Sequence, residues 1–180
     1  MYNKKVMKQV ILAGVITLLF NTSTLRPNSR QYYPIQLKNS INTTTKIANT
    51  TTKDHLLEAM IQVESRGVEN SIGDKHLGKP SVGVLQIRPI MVREVNRILR
   101  KHKVKKRYSL DDRYNREYSI EMFYIWRFYH HPDASDEVVA RCWNGGPKGW
   151  KRKSTIHYWN KVKNEMEISK DGERKSNKTS

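Results

Sequence analysis

The chain has 180 residues, enough for one hydrophobic core and too few for two well-formed ones. Its hydrophobic share of 37% is below the usual globular value, so part of the sequence lies outside that core. The single cysteine, Cys142, excludes an intramolecular disulfide, and no cysteine stands near residue 20 to carry a lipoprotein anchor, while the net charge of +17 favours polyanionic partners.

Lys4, Lys5 and Lys8 precede an apolar run from Val10 to Phe20, interrupted by Thr17. As a helix this run reaches roughly 16 Å, about half a bilayer core. Length and flanking charge predict a signal peptide over residues 1–24, with an uncleaved membrane anchor as the alternative, because no A-x-A cleavage pattern follows. Residues 25–52 are rich in Asn, Thr, Ser and Gln without apolar periodicity, and read as a disordered linker.

Helical patterns separated by Gly, Pro and Asn loops then occupy residues 53–167, with no strand-type alternation of useful length. The first helix is predicted from Lys53 to Ser65, with Asp54 as N-cap and Gly67 ending it. At 100° per residue, Leu56, Leu57, Met60, Ile61 and Val63 share an arc of about 160°, and Glu64 falls near its centre. A carboxylate in the core-facing stripe is costly unless paired or used. Buried, it would hold its proton near neutral pH and could serve as a general acid; a core ion pair is the competing explanation.

A loop is predicted from Gly67 to Ser81, then a helix from Pro89 to Lys101 with Ile90, Val95, Ile98 and Leu99 on its apolar face. Between Arg97 and Arg107 seven of eleven residues are Lys or Arg, read as a solvated helix end and loop or a binding patch. The longest helix is predicted over Asp111–His130, its stripe formed by Tyr114, Tyr118, Met122, Ile125, Trp126 and Tyr129, with Pro132 stopping it. Shorter helices follow over Ser135–Trp143, where Cys142 reads as a small buried hydrophobe, and Ser154–Met166. Residues 168–180 read as a disordered basic tail.

Four segments stand in order along this region: Glu64-Ser65, Ser81-Val82-Gly83-Val84-Leu85-Gln86, Ala140-Arg141-Cys142-Trp143-Asn144-Gly145-Gly146, and Thr155-Ile156-His157-Tyr158. Together they resemble the catalytic domain of soluble lytic transglycosylases, in the lysozyme-like superfamily. The resemblance implies an all-α, lysozyme-like domain over 53–167 acting on peptidoglycan. It places Glu64 on the catalytic acid/base and Ser65, Ser81, Gly83 and Gln86 on segments shaping the cleft. Gly83 would let backbone approach the sugar, and Gln86 could bond an acetamido group. Asn144 falls on an asparagine that can hold a sugar or the Glu, and Tyr158 on a tyrosine near the site. Trp143 replaces the usual tyrosine of the third segment, Val84-Leu85 replaces Leu-Met, and Ser154 stands where Glu usually precedes the Thr.

The reaction so implied splits the β-1,4 bond between N-acetylmuramic acid and N-acetylglucosamine and leaves a 1,6-anhydro end, with no metal or cofactor. Hydrolysis would need a second carboxylate to position water, and Asp74 is the candidate; otherwise it caps a loop beside Gly73. A non-catalytic basic wall-binding module would keep the cleft without needing Glu64. Peptidoglycan and anionic envelope polymers are the expected partners, with the protein exported to the periplasm, cell envelope or exterior. No nucleic-acid partner is expected: no zinc-finger spacing, RRM signature or basic zipper accompanies the charge.

Overall fold

Asp54 holds extended backbone, and its side chain accepts a hydrogen bond from Leu57 N at 3.1 Å, so helix α1 (His55–Ser65) starts at its predicted cap. The same carboxylate accepts from Tyr124 Oη at 3.0 Å and Arg127 Nη1 at 3.1 Å, which ties the helix start to a distant element. This computed structural model describes residues 54–176, so the expected targeting segment (1–24) and linker (25–52) lie outside the described residues.

Leu56, Leu57, Ala59, Met60 and Ile61 are the buried residues of α1. The helix ends at Ser65, as predicted, although the glycine is not the first left-handed residue. Arg66 itself adopts the left-handed conformation (φ 57°), its N–H donating to Gln62 O at 3.0 Å, and Gly67 continues the turn at φ 80°.

The expected loop 67–81 contains a minimal antiparallel hairpin. Strands β1 (Ile72–Gly73) and β2 (Ser81–Val82) pair Ile72 with Val82 and Gly73 with Ser81. Two residues per strand are too few for alternation to be visible in sequence. A tight turn follows, closed by Gln86 N donating to Gly83 O at 3.1 Å, with Gly83 and Gln86 both at positive φ. It folds Val84, Leu85 and Ile87 into the core.

Helix α2 (Pro89–Lys101) opens with proline in its first turn, where the missing N–H costs nothing. Val92, Val95, Ile98 and Leu99 are buried, whereas Ile90, expected on that face, is 60% exposed. Asn96 then pins the following loop, exchanging hydrogen bonds with Tyr108 O (2.8 Å) and Tyr108 N (2.9 Å).

The single helix expected over 111–130 is divided. A 3-10 turn, Asp111–Tyr114, precedes helix α3 (Arg116–His130), and Asn115 caps α3 by accepting from Tyr118 N at 2.9 Å. A short polar side chain that can bond the backbone ahead competes with helix continuation, which explains the break. The buried face of α3 is Ser119, Met122, Phe123, Ile125 and Trp126, so Phe123 rather than Tyr118 carries the packing.

Helix α4 (Asp136–Gly145) is capped by Ser135, and two 3-10 turns, Gly149–Lys151 and Lys153–Thr155, lead into α5 (Ile156–Ser176). Thr155 closes this corner, its hydroxyl donating to Gly149 O at 2.7 Å. Helix α5 is the longest element, running well past the expected limit at 167 into the segment read as a tail. It packs against α1 and α4, while α2 packs against α3. The core joins Met60, Leu85, Ile98, Phe123, Val139 and Val162 from successive elements. No helix among the described residues is long and apolar enough to cross a membrane.

Candidate active site

The last turn of α1 brings Glu64 to a cleft of about 1070 Å³. Its side chain is half-buried, and protein packs densely around the carboxyl group. From α5, the buried Tyr158 donates its hydroxyl to Glu64 Oε1 at 2.8 Å. Burial, which strips water from the carboxylate, pushes the Glu64 pKa from 4.5 up to about 7. The Tyr158 hydrogen bond pulls it down in part, and the negative charge of Asp74 adds to the rise. Burial also raises the Tyr158 pKa well above its ordinary value, helped by the charge of Glu64. The pair is therefore a neutral phenol donating to a carboxyl that exchanges its proton near neutrality.

Asp74, Ser81, Gln86, Trp143 and Asn144 line the same cleft. Asp74 sits at positive φ (51°) beyond β1, and its Oδ2 accepts from Ser81 Oγ at 3.3 Å. Ser81 Oγ also lies 3.0 Å from Gln86 Oε1. Gln86 is more occupied than its expected role requires: Nε2 donates to Gly83 O at 2.9 Å and Ser71 O at 3.2 Å. Its amide staples the hairpin, so both N–H groups expected for a sugar are already bonded. Gly73 makes room for it, since a Cβ there would lie 2.3 Å from Gln86 Oε1.

Two further expected cleft residues also hold the scaffold. Ser65 Oγ donates to Val84 O at 2.9 Å and accepts from Gly67 N at 3.1 Å, fixing the end of α1 against the turn after β2. Gly83 faces away from the cleft-lining residues: a Cβ would fall 1.8 Å from Arg113 O. The absence of a side chain here lets protein backbone, the Arg113 carbonyl, approach closely. Arg113 is itself buried and donates to Pro80 O and Ile87 O, holding the base of the hairpin.

Trp143 packs edge-on against Phe123 and Trp126, with ring centroids 5.3 and 5.1 Å apart, while still bordering the cleft. Asn144 is exposed there and its side chain makes no hydrogen bond among the described residues, leaving its amide open to a ligand. Cys142 is buried, as its apolar setting suggests. Among the described residues no group of three His, Cys, Asp or Glu side chains is placed to hold a metal ion.

A structural comparison gives this arrangement its context. The chain matches an inhibitor-bound lysozyme from Meretrix lusoria with TM-score 0.51 and 21% sequence identity, over 63% of this chain and 90% of that one. The fold is lysozyme-like. No protein-family model matches the sequence, and no curated protein matches it significantly.

The lysozyme-like domain carries cleft residues that sequence reasoning passed over. Glu94, on the polar face of α2, is bound twice by Arg97 (2.6 and 2.7 Å) and approached by His130 at 2.7 Å. Those contacts, led by the Arg97 hydrogen bonds, hold its pKa down to about 2. A carboxylate so firmly ionised is a poor base. The signal for Glu94 was present in its i, i+3 spacing to Arg97, but nothing local indicates that this face borders a cleft.

Proposed function

We propose that this protein cleaves the β-1,4 bond between N-acetylmuramic acid and N-acetylglucosamine in peptidoglycan, with Glu64 as acid and then base. The observation that carries this reading is the Glu64 carboxyl itself, cleft-facing, bonded to Tyr158 and poised at about 7. The departing sugar oxygen needs a proton as its bond breaks, and a carboxyl titrating near neutrality can supply one and reclaim another.

In the reaction, the Glu64 proton passes to the glycosidic oxygen while the bond from that oxygen to the muramic anomeric carbon breaks. The muramic 6-hydroxyl then bonds to that carbon and releases its proton to the Glu64 carboxylate. The product is a 1,6-anhydro end, and no water is consumed. The four-segment resemblance to lytic transglycosylases favours this non-hydrolytic course. A hydrolytic course has one observation in its favour: Asp74 shares the cleft, and its charge reaches Glu64. In keeping with such a substrate, residues 1–24 would direct export.

The test is digestion of purified peptidoglycan. Glu64→Gln keeps the shape of the side chain and removes its proton, and should lower muropeptide release about 10²–10⁴-fold. A variant retaining much of the wild-type rate, at matched helical circular dichroism, would overturn the assignment and leave the wall-binding module.

A further inference from the structure

Beyond Glu64 the cleft wall is cationic in a selective way. Lysine outnumbers arginine in the chain, yet the Lys or Arg side chains lining the cleft are Arg88, Arg93, Arg97, Arg100 and Arg152, without one lysine. Arg93, Arg97 and Arg100 recur at i, i+4 and i+7 along α2 and so share one face. From Arg88 to Arg100 the row extends about 18 Å at 1.5 Å per residue.

Elsewhere in the domain Arg116 binds Glu58, Arg127 binds Asp54 and Arg141 binds Glu137, while Arg107 and Arg113 donate to backbone carbonyls. In the cleft, Arg97 has Glu94, but Arg88, Arg93, Arg100 and Arg152 form no ion pair among the described residues. Among the described residues, Arg93 and Arg100, which share a helical face with the paired Arg97, keep their guanidinium groups free for an anion that enters the cleft. Arginine presents a planar fork of N–H donors that matches a carboxylate or phosphate bidentately, whereas lysine is a point charge.

We propose that this arginine wall binds the carboxylates of the peptides attached to muramic acid, making the substrate the peptide-bearing strand rather than the bare polysaccharide. The proposal rests on the glycan-cleaving reading above. The wall and Glu64 line one cleft, so the anion it meets must be carried by the polymer being cut. The sugar backbone apart from its muramic side groups is uncharged and offers such a wall nothing to bind.

The test uses the inactive Glu64→Gln protein, with purified sacculi in three forms: peptide-bearing with phosphate polymers removed, the same material stripped of peptides by an amidase and its freed muramic carboxyls capped as methylamides, and sacculi retaining phosphate polymers. Peptide removal should weaken binding about tenfold or more, and adding Arg93→Gln and Arg100→Gln should erase that difference. Equal binding to the peptide-bearing and stripped forms would overturn the proposal. So would a preference that follows the phosphate polymers, or an Arg93→Gln/Arg100→Gln variant that still distinguishes the two forms. Wild-type cleavage separates the two levels: cutting of neither form defeats the glycosidase reading, whereas equal kcat/KM on both defeats the arginine proposal alone.

Discussion

The Tyr158 hydroxyl donates to Glu64 Oε1 at 2.8 Å across 94 positions of sequence. The bond makes α5 part of the site, because it joins the acid of α1 to the helix packed against it. It also opposes the burial that raises the Glu64 pKa, so the value of about 7 is a compromise between the two.

Tyr158→Phe should therefore raise the Glu64 pKa further. A hydrogen bond to a charged group is worth about 1.5–3 kcal/mol, and one pKa unit corresponds to about 1.4 kcal/mol, so a shift of roughly one to two units is expected. The acid works protonated, so the alkaline limb of kcat/KM against pH should move to higher pH. A limb that stays in place or moves down would contradict the role given to this bond.

The same carboxyl ties stability to pH. Its folded pKa of about 7 exceeds its ordinary 4.5, so folding favours the protonated form. Stability is undiminished by Glu64 below pH 4.5, falls as pH rises from there, and levels off above about 7. The full loss is on the order of 3 kcal/mol. Glu64→Gln removes it, so the variant should match wild type in urea denaturation at pH 4 and exceed it at pH 8. A variant no more stable than wild type at pH 8 would show that Glu64 is not held out of solvent.

Local chemistry made much of this legible from sequence. Asp54 is a cap by residue type, the α1 stripe follows from helical spacing, and Glu64 stood out because it interrupted that stripe. What failed depended on tertiary geometry. Gln86 spends its amide on Ser71 and Gly83 only because the hairpin brings those carbonyls to it. Asn115 could equally have continued a helix or capped one. The arginines of α2 look like any solvated polar face until α4 and its following loop close the other side of the cleft.

Gly83 yields a prediction that separates packing from substrate contact. An alanine there would take φ 80° with its Cβ 1.8 Å from Arg113 O. Left-handed strain and overlap with fixed backbone should together cost about 2–5 kcal/mol. Thermal unfolding of Gly83→Ala should show a large fall in Tm, with kcat/KM per folded molecule largely kept at low temperature. A variant of normal Tm but poor KM would return Gly83 to the sugar-binding surface.

Asp74 decides between the two ways of finishing the reaction. It lines the cleft with Glu64, and its charge raises the Glu64 pKa. If the muramic 6-hydroxyl is the nucleophile, Asp74 activates nothing. Released muropeptides will then carry 1,6-anhydro ends, each lighter by one water than its hydrolytic counterpart in the mass spectrum. Asp74→Asn should in that case cost less than about tenfold in kcat, since no proton transfer depends on it. It should still leave a trace in the pH profile: removing a negative charge near Glu64 lowers its pKa, so the alkaline limb moves to lower pH. If Asp74 instead positions water, products will have reducing ends, and Asp74→Asn will lose about 10²–10⁴-fold, close to the loss in Glu64→Gln. The expected outcome is anhydro ends with a modest Asp74→Asn effect. Reducing ends with an inactive Asp74→Asn would keep Glu64 as the acid and make the enzyme a hydrolase.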